Sequence, residues 1–179
     1  MIASAPALLA ALMVFFGLKE RLEAKKPSAA IWIGLGIALG LFAKTTAAAL
    51  PIVVVLSYLW FRPKLKPVDF ISGALSIVPV LFYWLTGTLG QVINKQNTFV
   101  GEALLKNNLL QIGPWLFQYL TWPVLLLVIG GFLISWKNRL LWFSWLIPLF
   151  FLAVSAKILF PRYLLPIVPF LLIYSASGF

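Results

Sequence analysis

Apolar residues in this chain come in long runs, and the charged ones collect between the runs. Seven apolar segments stand out, at 2–18, 30–43, 46–61, 69–86, 113–134, 140–156 and 161–177. A helix crosses the roughly 30 Å of bilayer hydrocarbon with about 20 such residues. Several segments are shorter and are expected as tilted or incomplete spans. The fold class this predicts is all-α: a polytopic transmembrane helix bundle of about seven apolar segments, forming one transmembrane domain over 1–179. The chain opens and closes inside apolar runs, so a piece cut from a longer protein at both ends is expected. The first charge is Lys19, which leaves no basic region ahead of the first run for a signal peptide.

The charges between the runs orient the bundle. Lys19, Arg21, Lys25 and Lys26 follow the first segment, Arg62, Lys64 and Lys66 the third, and Lys137 and Arg139 the fifth. These three alternate linkers hold nine basic residues, against five in the others. Basic residues accumulate on the cytoplasmic side. The linkers 19–29, 62–68 and 136–140 are therefore expected in the cytoplasm. Residues 27–61 must then leave and return as a tight hairpin, turning near Ala43-Lys44-Thr45-Thr46 at the outer surface.

The longest polar stretch, 87–112, is expected as an extracytoplasmic loop. Residues 98–110 within it read either as a plain loop or as a short interfacial helix with Phe99, Val100, Ala103, Leu104 and Leu110 toward lipid. Pro51, Pro79, Pro123, Pro148, Pro166 and Pro169 punctuate the spans, each removing a helix hydrogen bond. Gly34, Gly36 and Gly40 fall close together on the second segment, and the 36/40 pair has the GxxxG spacing that lets helices approach. Trp32, Trp60, Trp115, Tyr119, Trp122 and Trp142 lie near segment ends, as in an aromatic belt.

Composition strengthens the membrane reading. Hydrophobic residues make up 63% of the chain and charged residues 10%, where soluble domains carry about 25% charged. So few charges cannot cover the surface of a soluble domain. The net charge of +10 follows the linkers, so topology explains it better than nucleic-acid binding. With no Cys and no His, there is no disulfide framework, thiol nucleophile or Ser-His-Asp triad, and no metal site is expected. The acids are only Glu20, Glu23, Asp69 and Glu102. Glu20, Glu23 and Asp69 sit in cytoplasmic linkers beside basic residues and read as surface ion pairs. Glu102, in the outer loop, is a weak candidate for catalysis and otherwise a solvated carboxylate. No charge falls at the middle of a segment, which argues against an ion-coupled transporter.

Two groups of outward cations stand apart. Lys44 with Thr45 and Thr46 has two readings. It is an interfacial lysine snorkelling toward the headgroups, or a cation with adjacent hydroxyls suited to a lipid-linked phosphate. Lys157, Arg162 and Tyr163 cluster at the outer end of the last segment. Topology gains nothing from them there, and Arg offers a planar fork for phosphate.

The stretch from Gly34 to Thr46, GLGIALGLFAKTT, resembles a glycine-rich segment of polytopic C-superfamily glycosyltransferases, closest to protein O-mannosyltransferases and aminoarabinose transferases. Phe160 to Pro169, FPRYLLPIVP, resembles a second segment of that family, and Trp115 to Pro123 a third, weaker one. The resemblance implies an enzyme of the bacterial cytoplasmic membrane. Such an enzyme transfers a sugar from a polyprenyl-phosphate carrier to a protein, lipid or glycan acceptor on the outer side. It also implies that Lys44 and Arg162 contact the carrier phosphate, with Tyr163, Lys157 and Thr45 as neighbours. The polyprenyl-phosphate-linked sugar is the donor substrate, and no other cofactor is implied. The family's catalytic carboxylate lies in a first outer loop, for which 1–179 has no counterpart. The base is therefore expected upstream, and the chain alone is expected to be inactive. The alternatives are a carrier-binding or transporter-like membrane protein, or a structural subunit of a membrane complex.

Overall fold

The computed structural model describes residues 5–43, 45–91, 105–134, 137–155, 164 and 167–177. Among these there is no strand. The elements are α1 (Ala5–Leu22), α2 (Ala30–Ala43), α3 (Ala49–Phe61), α4 (Pro67–Leu85), α5 (Leu105–Tyr119), α6 (Trp122–Ile134), α7 (Arg139–Ser155) and α8 (Val168–Ser177). Short 3-10 turns at Pro27–Ala29 and Thr45–Ala48 lead into α2 and α3. The chain is all-helical, as the apolar runs predict. It forms two compact units, Met1–Phe99 and Val100–Phe179. Their boundary falls inside the polar stretch 87–112.

In the first unit α2 lies between α1 and α4. Its glycines make this possible, on two different faces. A Cβ on Gly36 would meet Val14 Cγ2 at 2.9 Å and the Ala10 carbonyl oxygen at 3.0 Å, both on α1. A Cβ on Gly34 would lie 2.5 Å from the Ser72 carbonyl oxygen and 2.9 Å from its Cα, both on α4. Gly17 answers from α1, where a Cβ would meet the Ile33 side chain at 2.8 Å. Small residues at such seams let backbones approach until van der Waals contact is made along their length. Ala10, Ala11, Val14, Leu18, Ile33 and Val53 fill the interior. α2 and α3 follow one another through the Thr45–Ala48 turn.

The helix ends follow local chemistry. Lys19 and Arg21 occupy the last turn of α1, where cations favour the negative end of the helix dipole. Lys25 then takes a left-handed conformation (φ 55°), and the Lys26 N–H closes on the Glu20 carbonyl at 3.0 Å. Arg62 ends α3 in the same region (φ 46°), donating its N–H to the Tyr58 carbonyl at 2.9 Å. Pro67 opens α4, at the position where its missing N–H costs nothing.

In the second unit, Ile112, Leu120, Leu152, Ala153, Leu164 and Ile167 form a buried cluster, against which Trp115, Trp145 and Val128 pack. The buried Asn108 is held by donating its side-chain amide to the Ala153 carbonyl at 2.9 Å. One expectation is corrected here. The segment 113–134 is not one helix: it breaks at Leu120 and Thr121, where the helix axis turns by 112°. In a continuous helix the Pro123 ring would clash with the Tyr119 carbonyl, and its missing N–H would break the ladder. Within 87–112, expected either as a plain loop or with a short helix over 98–110, α5 begins at Leu105, and residues 92–104 lie outside the described residues.

Among the described residues only α4, with 19 residues, is by itself long and apolar enough to cross a membrane. The bent pair Asn107–Gln118 and Trp122–Ile134 passes the same test when taken together. Pro27–Ala43, Ala49–Phe61 and Arg139–Val154 are apolar but shorter.

Candidate functional site

Most of the residues that the sequence nominates for chemistry, Lys44, Glu102, Lys157, Arg162 and Tyr163, lie outside the described residues. Thr45 opens the turn between α2 and α3. The described site is a different one, at the other end of the first unit, where α1, α3 and α4 converge.

Arg21, at the end of α1, reaches Asp69 in the first turn of α4. Arg21 Nε donates to Asp69 Oδ1 at 2.8 Å, and Nη2 donates to Oδ2 at 2.6 Å. This is the two-pronged geometry that a guanidinium offers a carboxylate and an ammonium does not. Tyr58, from the last turn of α3, donates its hydroxyl to Oδ1 at 2.8 Å. The Lys66 backbone N–H donates to Oδ2 at 2.7 Å. Arg21 Nη2 also donates to the Lys64 carbonyl at 2.8 Å. Only 6% of each charged side chain is exposed. Asp69 at the third position of α4 thus caps that helix while neutralising an arginine from another. The hydrogen bonds and charge of Asp69 raise the pKa of Arg21 above its ordinary value, with burial acting in the opposite direction.

Asp69 is therefore not the surface ion pair that its linker position predicts. Its neighbours in sequence are exposed cations, but its partner is 48 residues away and buried with it. Two signals pointed there. Arg21 is an arginine among the lysines 19, 25 and 26, and Lys66-Pro67-Val68-Asp69 has the proline-then-acid spacing of a helix start. Glu20 does form a surface pair, with Lys26 at 3.7 Å and both side chains more than half exposed.

This cluster is built for holding rather than for reaction. Both carboxylate oxygens already accept two donors each, so Asp69 has no free lone pair directed at a substrate proton. What the cluster does is join the 19–29 and 62–68 linkers at one end of the unit. Beside it runs a groove of about 450 Å³ between α3 and α4, floored by Ile33 and Ile37 of α2. Among the described residues no group of three or more acids is arranged to hold a metal ion.

No family model, curated protein or solved structure matches the chain.

Proposed function

We propose that the chain is the membrane-embedded part of a glycosyltransferase of the bacterial cytoplasmic membrane, built as a bundle of about seven apolar segments. It would take a sugar from a polyprenyl-phosphate carrier and pass it to a protein, lipid or glycan acceptor on the outer side. The observation that carries the membrane half of this reading is the outward surface of the helices. Along α4, Phe70, Ile77, Phe82, Trp84 and Leu85 are all exposed, and so are Val55, Leu59 and Trp60 on α3 and Leu126, Leu133 and Ile134 on α6. A core helix of a soluble protein would be mostly buried, whereas only Ser72 and Pro79 of α4 are buried. Apolar surface that extensive is suited to a lipid solvent, which supports the membrane reading. Unit 1 adds support for orientation, because the Arg21–Asp69 pair holds two of the three basic linkers at one end.

The glycosyltransferase half rests on the resemblance of Gly34–Thr46 and Phe160–Pro169 to that family. The donor sugar is lost by displacement at the anomeric carbon. The acceptor oxygen forms the new bond, the bond to the carrier phosphate breaks, and the phosphate leaves with its electron pair. Lys44 and Arg162 neutralise that phosphate, with Lys157, Tyr163 and Thr45 beside them. The acceptor proton passes to a carboxylate base.

The test is binding of undecaprenyl phosphate by the chain in neutral-lipid nanodiscs, measured by native mass spectrometry. Lys44→Gln with Arg162→Gln should weaken binding by about tenfold or more, since each lost charge-assisted contact contributes about 1.5–3 kcal/mol. Equal binding by the double variant contradicts the assignment.

A further inference from the structure

The groove between α3 and α4 is the open face of the first unit. These two helices share at most marginal contact, and α2 sits behind both. Val54, Val55 and Leu59 form one wall, and Phe70, Gly73 and Ser76 the other. Its volume lies within the roughly 300–1,000 Å³ of ligand pockets, and its lining is mostly apolar.

The loop 62–66 closes one end. Pro63 and Leu65 line the groove, and Arg62, Lys64 and Lys66 alternate with them and are exposed. The backbone at each cation is pinned. The Arg62 N–H is held by Tyr58, the Lys64 carbonyl by Arg21 and the Lys66 N–H by Asp69. The Arg21–Asp69 pair fixes the backbone at Lys64 and Lys66 and the end of α3 fixes it at Arg62, so the three cations sit on backbone that is ordered before any ligand arrives, which lowers the entropy cost of binding. The loop directly precedes α4, so when α4 spans a bilayer these cations lie at headgroup depth.

We infer that the α3–α4 groove and the 62–66 loop form a binding site for an anionic phospholipid of the cytoplasmic leaflet. One acyl chain lies in the groove, and the phosphate rests against Arg62, Lys64 and Lys66. This rests on the membrane reading above, and not on the glycosyltransferase reading. An apolar slot ending in a triad of cations is complementary to a lipid with a negative head. A zwitterionic lipid or a neutral helix leaves the charges unused. Each juxtamembrane cation favours anionic lipid by about fivefold.

Gly73 allows a clean test. Its Cβ would meet nothing within 4 Å and Gly73 lines the groove, so Gly73→Phe directs a ring into the groove without changing charge. The full chain is reconstituted in nanodiscs of equal parts phosphatidylglycerol and phosphatidylcholine, and the retained lipid is counted by native mass spectrometry. The wild type should retain phosphatidylglycerol over phosphatidylcholine by about tenfold or more. Gly73→Phe should lose the retained lipid. The triple Arg62→Gln, Lys64→Gln, Lys66→Gln variant should lose the preference, with helical content and carbonate-resistant membrane association unchanged. Unaltered retention and preference in both variants would overturn the site and leave the cations as topology signals only. Loss of a dimer in Gly73→Phe, with lipid retention unchanged, would also overturn it by assigning the groove to a second copy. Release of the wild type by carbonate would overturn the membrane reading itself, and the site with it.

Discussion

Asp69 shows how much a single residue can hold. It accepts four hydrogen bonds from Arg21, Tyr58 and the Lys66 backbone, and so joins three helices and two linkers. Removing one partner of a buried ion pair leaves the other charge uncompensated, which costs about 3–5 kcal/mol. Asp69→Asn should therefore lower the thermal midpoint of the detergent-solubilised chain sharply. Tyr58→Phe should cost only about 1 kcal/mol, because the ion pair survives. Circular dichroism melting checks both, and equal small effects would mean that the pair is not structural. The sequence placed Asp69 in a linker beside basic residues and did not single it out as the partner of Arg21, because a pairing across 48 residues follows no fixed spacing. Position alone assigned it to the surface. By contrast, Glu20 and Lys26 pair across the end of α1, close enough in the chain for the pairing to be readable.

At the scale of elements, the apolar runs located the helices closely. The segment 30–43 coincides with α2, and 140–156 is within a residue of α7 at each end. Hydrophobic length fixes such boundaries in a chain where lipid or a neighbour must cover every span. The sequence did not show the break inside 113–134, since Leu120 is as apolar as its neighbours and only Pro123 marks the site. The glycines were legible as a packing seam, though not as two seams. Gly34 faces α4, while Gly36 and Gly40 crowd toward α1 or the return turn. The consequence is a ranked series. Gly34→Ala drives a methyl group against the backbone of Ser72 and must part α2 from α4, at about 1–3 kcal/mol. Gly40→Ala meets the side chains of Ala47 and Leu50 at 3.0 Å and should cost less. Gly73→Ala meets nothing and should be neutral or stabilising through helix propensity. Thermal midpoints of the three variants give the order directly, and a Gly73→Ala as damaging as Gly34→Ala would refute the packing described.

For the whole molecule, the central proposal is that the chain is embedded in a membrane with its basic linkers in the cytoplasm. The carrier phosphate would be bound on the opposite side, at Lys44 and Arg162. Net charge, hydropathy and linker alternation are the sequence features that motivate it. The absence of cysteine makes the decisive measurement simple, since any introduced thiol reports alone. Ser28→Cys, Leu65→Cys, Gln91→Cys and Lys137→Cys are each labelled in right-side-out vesicles with a membrane-impermeant maleimide, before and after lysis. The account predicts that Gln91→Cys reacts in intact vesicles, and that the other three react only once the vesicles are opened. Labelling of all four in intact vesicles, or of Ser28→Cys and Leu65→Cys on the same side as Gln91→Cys, would contradict it.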